Sequence, residues 1–139
     1  MVNARLAVKA FIINKENKLL LLKRDTNDSH KPGEWDIPGG RADLTKDPLE
    51  ELKREVLEEA GIDISIHIPL HVQYFVRDDG QTITMIIFLC TPESTNIKLS
   101  DEHSEYKYVS IEKDNIPKWI WPILNNFNKF QLYRHINHE

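Results

Sequence analysis

At 139 residues the chain has the length of one domain, 1–139, with room for one hydrophobic core. Its composition, 40% hydrophobic and 29% charged, is that of a globular protein and excludes a collagenous, low-complexity or disulfide-rich class. A net charge of −4 argues against a broad nucleic-acid surface, no run is long and apolar enough for a signal peptide or membrane span, and the single Cys90 excludes an intrachain disulfide and fits a reducing cytoplasm.

Ala4–Asn14 reads as a strand, followed by a Lys15-Glu16-Asn17 turn. Lys18–Arg24 reads as a second strand, so rich in leucine that both faces are expected to be buried. Asp25–Glu34 is a polar loop containing Pro32-Gly33, suited to a site rim. Trp35–Ile37 is a short strand leading into a Pro38-Gly39-Gly40 turn. A helix follows over Pro48–Ala60: Asp47 is the N-cap, Pro48 takes the first position, Glu50 completes a D-x-x-E capping box, and Gly61 stops it. Ser65–Arg77 and Gln81–Thr91 form a hairpin around Asp78-Asp79-Gly80. Pro92–Glu105 is a polar loop, Tyr106–Ser110 a short strand, and Trp119–Tyr133 an amphipathic helix with Pro122 in its first turn. Two helices with a mixed sheet predict an α/β (α+β) sandwich. Cys90 ends an apolar run and reads as a small buried hydrophobe rather than a nucleophile.

The Pro48–Ala60 helix carries the chemistry. At about 100° per residue, Leu49, Leu52, Val56 and Ala60 share an apolar stripe. Glu51, Glu55, Glu58 and Glu59 fall in another sector. Like charges at i,i+3 and i,i+4 repel by about 0.2–0.5 kcal/mol per pair. A solvated acidic face is the plain meaning of such a run. Hard oxygen donors on a rigid helix are also what Mg²⁺ or Mn²⁺ requires, and Arg54 on the flank can fix a glutamate or meet a phosphate.

Gly40, Arg54, Glu55, Val56, Glu58, Glu59, Gly61 and Ile62 stand at the spacing Gly-x5-Glu-x7-Arg-Glu-U-x-Glu-Glu-x-Gly-U, where U is a bulky aliphatic residue. In this the segment resembles the signature of the Nudix hydrolases, and Trp35–Gly40 resembles the usual lead-in. A long gapped pattern is a specific signal. Lys46 departs from it, standing where the pattern has its first Glu, and Thr45 stands where such boxes often carry Gly. Lys46 is expected to pair with Glu50 or Glu55.

The resemblance implies a Nudix-like α/β/α sandwich with a central mixed β-sheet. It implies a hydrolase that cleaves a diphosphate bond in a nucleoside diphosphate linked to a group X, with Mg²⁺ or Mn²⁺. Glu55 and Glu59 would be the first metal ligands and the Gly40 carbonyl would complete the shell. Glu58 would be a ligand or the base, and Arg54 would orient Glu55. A further carboxylate often enters from a later loop in this family, which makes Glu102 a candidate ligand or general base. The other reading of Asp101, Glu102 and Glu105 is a solvated loop.

Arg24, His30 and Lys31 are candidates for phosphate contact, and Phe75, Tyr74 or Phe11 for stacking, with core packing the plainer role of each aromatic. Trp119 and Trp121 read as core or helix anchors. His103 reads as a loop or capping residue, and His67, His71, His135 and His138 show no metal-ligand spacing with cysteine. The short chain looks like the compact MutT-type nucleoside triphosphate pyrophosphatases, and no downstream proline or tyrosine marks the ADP-ribose or dinucleoside polyphosphate branches. The expected partner is thus a small phosphorylated molecule, with no membrane. Two other functions fit the fold: a nucleotide-sensing module without catalysis, suggested by Lys46, and a 5′-end RNA pyrophosphohydrolase.

Overall fold

The structure, a computed structural model, describes residues 3–27 and 31–132. His30, Tyr133, His135 and His138 lie outside the described residues. Among the described residues, seven strands and two α-helices run β1 (Ala4–Ile12), β2 (Lys18–Arg24), β3 (Trp35–Asp36), β4 (Gly39–Arg41), α1 (Pro48–Ala60), β5 (Ile64–Val76), β6 (Thr82–Pro92), β7 (His103–Ser110) and α2 (Trp121–Lys129). The strands form a four-stranded mixed sheet, β4-β1-β6-β5, and a three-stranded antiparallel sheet, β3-β2-β7. Among the described strands only β1 and β6 run parallel, with Ala4 opposite Thr82 and Ile12 opposite Cys90.

The strand sequences explain why the sheet is covered on both sides. Side chains alternate faces along a strand. Val8, Ala10 and Ile12 of β1, Leu20 and Leu22 of β2, and Phe88 and Cys90 of β6 join Leu52, Val56 and Ala60 of α1 in one core. The intervening Phe11, Ile13, Leu19, Leu21, Ile87 and Leu89 join Ile123, Leu124 and Phe127 of α2 in a second core. Leu19 to Leu22 are all fully buried, as the leucine run predicts. Burying Leu52 and Val56 contributes about 1.5–3 kcal/mol each and fixes which face of α1 is left for chemistry. Leu49, expected on the same stripe, is 41% exposed and lies outside both cores.

The caps of α1 stand where the sequence places them. Asp47 Oδ1 accepts from the Leu49 N–H at 2.9 Å, and Gly61 closes the helix at φ 70°. The reciprocal Glu50 bond of a capping box is not formed among the described residues, and Glu50 instead lies 3.9 Å from Lys53. The other boundaries move more. β7 starts at His103 rather than Tyr106, because it pairs with β2 as far as Arg24 opposite His103. The C-terminal helix is shorter than Trp119–Tyr133. A 3-10 turn occupies Lys118–Ile120, α2 begins at Trp121 with Pro122 in its first turn, and the left-handed Gln131 (φ 52°) follows its end.

Candidate active site

Gly39 and Gly40, expected in a turn, instead open strand β4, where they pair with Lys9 and Val8 of β1, and this corner is the hinge of the site. Gly39 has φ 139°, and a Cβ there would collide with the Val8 carbonyl oxygen and lie 2.7 Å from Lys9 Cα. Only glycine tolerates that conformation beside β1. Its N–H donates to Glu59 Oε1 at 3.0 Å, tying the corner to the last turn of α1. A Cβ on Gly40 would stand 3.3 Å from Glu55 Oε2, so this backbone approaches the Glu55 carboxylate closely.

On one side of the corner lie the carboxylates. Glu59 is 7% exposed, and burial pushes its carboxyl up to about 8 against the opposing pull of the Gly39 N–H and the Lys9 charge. Burial also raises Glu55, and Arg54 works against that rise. The negative charge of Glu102 raises both Glu55 and Glu59, so the loop residue singled out in the sequence stands within electrostatic reach of the helix pair. The Glu102 carbonyl accepts from the Asp25 N–H at 2.9 Å, which pins that loop to the end of β2.

Arg54 holds three carboxylates together. Its guanidinium donates to Glu51 Oε2 at 2.6 Å, to Glu58 Oε1 at 2.9 Å and to Glu55 Oε1 at 3.1 Å. These bonds, first those to Glu51 and Glu58, raise its already high pKa. Glu51 is buried at 4% exposure and acts as the inner anchor, a role the sequence reading did not give it. The Glu58 side chain is 59% exposed and reaches outward. Lys46 makes neither expected ion pair among the described residues. It lies in the exposed loop before α1, and its charge helps hold the Asp43 carboxyl low, behind the two Thr45 hydrogen bonds.

No three His, Cys, Asp or Glu side chains among the described residues converge on a metal position by themselves. The donor set nevertheless suits a hard divalent cation. Arg54 and Gly39 engage Oε1 of Glu55 and of Glu59, leaving Oε2 of each without a hydrogen bond among the described residues, that of Glu55 beside Gly40. Glu58 and Glu102 push Glu55 up, and Glu55 and Glu102 push Glu59 up, a repulsion that a cation would relieve.

On the other side of the corner opens a cleft of about 770 Å³. Its lining includes the cations Lys9, Arg24, Lys31, Arg41 and Arg77, and a single carboxylate, Asp36. Lys9 is 6% exposed, and its ammonium donates to Asp36 Oδ2 at 2.9 Å and to the Ile37 carbonyl at 3.2 Å. Arg24 adds a bond to Asp36 Oδ2 at 3.3 Å. Burial pushes Asp36 up, but the Lys9 and Arg24 charges and the Ile37 N–H outweigh it and hold the carboxyl below its usual range. Asp36 is therefore already neutralised, and the other cations face the cleft. Arg41 is held by Gln81 Oε1 at 3.1 Å, and Gln81 by Asn3.

The remaining candidates separate clearly. Phe75, 37% exposed, and Trp119 line the cleft, so Trp119 is more than the core anchor expected. Phe11 is fully buried against Phe127 and is no stacking surface, while Tyr74 is 64% exposed and is not among the residues that line the cleft. Trp121 is an anchor, donating to the Lys113 and Ile116 carbonyls. Cys90 is buried and its thiol pushed up to about 12, which leaves it inert. His103 opens β7 as a buried residue, its pKa lowered by burial and then by Arg24. His67 and His71 bond Thr91 and Asn126. Sequence reasoning missed Lys9, Asp36 and Arg41. The available signal was Lys9, the lone charge within the apolar run Leu6–Ile13.

The NUDIX domain family model matches residues 3–127. An ADP-ribose pyrophosphatase of Methanocaldococcus jannaschii is 30% identical over 108 residues, 77% of this chain and 62% of that protein. A nucleoside triphosphatase, NudI, of Klebsiella pneumoniae is 29% identical over 114 residues, 73% of this chain and 79% of that protein. The chain spans less than two thirds of the length of several curated relatives it matches. The crystal structure of a MutT protein from Methanosarcina mazei Go1 is 29% identical, covers 94% of this chain and 96% of its own, and superposes with a TM-score of 0.81. Signature, fold and family match coincide over most of the sequence, and the chain belongs to the Nudix hydrolase family.

Proposed function

We propose that this chain, as one domain over 1–139, hydrolyses a diphosphate bond in a nucleoside diphosphate linked to X, with nucleoside triphosphates as the substrate class. The observation that carries this reading is the meeting of two opposite fields at Gly39–Gly40. A carboxylate set lies on the α1 side, and a cationic cleft closes in from the other. Displacement at phosphorus needs charge neutralisation and a positioned water more than covalent help. The cleft supplies fixed positive charge for phosphate oxygens, with Arg24 and Arg41 at its wall and Phe75 beside it.

Glu55, Glu59 and the Gly40 carbonyl are assigned to hold Mg²⁺ or Mn²⁺, which would supply further charge neutralisation and acidify a water. Glu58 is assigned as a further ligand or the base, and Glu102 as a second candidate for either role. Arg54 positions Glu55 and Glu58 through its fork. The triphosphatase relative supports the substrate class, and the ADP-ribose relative makes a sugar nucleotide the competing X. The buried, single Cys90 supports a reducing, cytoplasmic setting, and no described helix is long and apolar enough to cross a membrane.

The test is phosphate and pyrophosphate release from a panel of nucleoside triphosphates and nucleotide sugars, with Mg²⁺, Mn²⁺ or chelator. Metal-dependent turnover of triphosphates is expected to fall about 10³-fold or more in Glu59→Gln. Full activity in that variant would remove Glu59 from its assigned role. A folded protein that binds nucleotides without turning any over would favour the sensing module. Turnover of 5′-triphosphorylated RNA that collapses steeply with salt would favour the RNA reading.

A further inference from the structure

Gln73 lines the cleft with a carboxamide that has no partner among the described residues. Its Oε1 is buried, and its carboxamide makes no hydrogen bond among the described residues. A buried acceptor left unpaired costs free energy and calls for an explanation.

The sheet register shows where this amide stands. Gln73 lies opposite Met85, Met85 opposite Ala7, and Ala7 opposite Arg41. The row Arg41–Ala7–Met85–Gln73 crosses four adjacent strands. Three strand spacings separate its polar ends by about 14 Å. All four residues line the cleft, so its floor is apolar, with a cation at one end and a free carboxamide at the other. Phe75 and Trp119, which also line it, supply aromatic faces.

We propose that Gln73 determines base specificity by pairing with the edge of a nucleobase laid across Ala7 and Met85, with the phosphates toward Gly39–Gly40. This rests on the reading of the cleft as a nucleotide site. A carboxamide offers an acceptor and a donor side by side. It therefore complements a flat ring edge that carries an N–H donor next to an acceptor, as adenine does at N6 and N7. The sugar of a sugar nucleotide has no such planar edge. Arg41, held by Gln81, is too far from Gln73 across the sheet to fill this role itself.

The experiment is equilibrium binding of AMP, GMP, CMP, UMP and ribose 5-phosphate, by calorimetry in chelator, to the full chain and to Gln73→Met. None of these ligands contains a diphosphate, so turnover does not enter. At least one base is expected to bind roughly ten-fold or more tighter than ribose 5-phosphate, and Gln73→Met to erase that preference while binding of ribose 5-phosphate stays the same. Should the variant not fold, the Gln73 side-chain amide resonances of the wild-type protein are followed by NMR; a shift with the preferred nucleotide but not with ribose 5-phosphate is expected. Equal binding of all five ligands, a preference retained in Gln73→Met, or an unmoved amide would overturn the proposal. A Gln73-dependent preference in a protein that hydrolyses no nucleotide would leave this inference standing and sink the hydrolytic one.

Discussion

The two sides of the Gly39–Gly40 corner are built in opposite ways. The acidic side comes almost wholly from consecutive turns of α1, where one helix period places Glu51, Glu55, Glu58 and Glu59 together. The cationic side draws Lys9 from β1, Arg24 from β2, Arg41 from β4 and Arg77 from the loop after β5. One is local and needs only a helix to form. The other exists only after the strands have paired in register. On the proposed function, the reacting end of the site is thus carried by a short segment, whereas the surface proposed to choose the substrate is assembled from distant parts of the chain.

The comparison breaks first at Glu59. In metal-free protein its folded pKa of about 8 lies above the unfolded value of 4.5. Between those values the folded state holds a proton that the unfolded chain has released, so stability falls as pH rises from about 4.5 to 8. The loss is on the order of 4–5 kcal/mol. Thermal melts in chelator should show it, Glu59→Gln should flatten the profile, and Mg²⁺ should raise Tm more at pH 8 than at pH 5. Melts that do not depend on pH would place Glu59 in water.

The hinge comes next. Gly39→Ala forces a Cβ into the Val8 carbonyl in a left-handed conformation, and we expect a loss of about 3 kcal/mol in urea unfolding. Lys9→Ala leaves Asp36 buried with Arg24 as its remaining cation, at a cost of about 3 kcal/mol, while Glu59 stays hydrogen-bonded to Gly39. Unfolding that matches wild type in Lys9→Ala would mean the cleft charge is solvated.

Arg54→Lys keeps the charge but loses the fork that reaches Glu51, Glu55 and Glu58 at once. Turnover should drop about 10–100-fold with little change in melting temperature. The smallest effect belongs to Lys46→Glu. Lys46 makes no ion pair with Glu50 or Glu55, so stability should move by less than about 0.5 kcal/mol. A large gain in turnover there would show that the departure from the signature is what limits the enzyme.

Helix α1 was legible to the residue, because its stop signals are local: Asp47 and Pro48 at one end, Gly61 at the other. The same reasoning failed for Leu49, whose period suits the buried stripe but which joins neither core. It failed also for β7, whose first three residues are strand only because β2 lies alongside. Glu102 is singled out only because the family resemblance implies a carboxylate from a later loop, and its reach to Glu55 and Glu59 depends on how that loop is pinned at Asp25.

By itself the sequence determined the family, the helix that bears the carboxylates, and the doubly buried strand β2, since each rests on spacing along a contiguous segment. Tertiary structure alone decided that Lys9 neutralises Asp36 and that Gln73 faces an apolar floor with nothing to bind among the described residues. Those outcomes depend on which strands become neighbours and in what register, and no local period encodes the identity of a residue several dozen positions away.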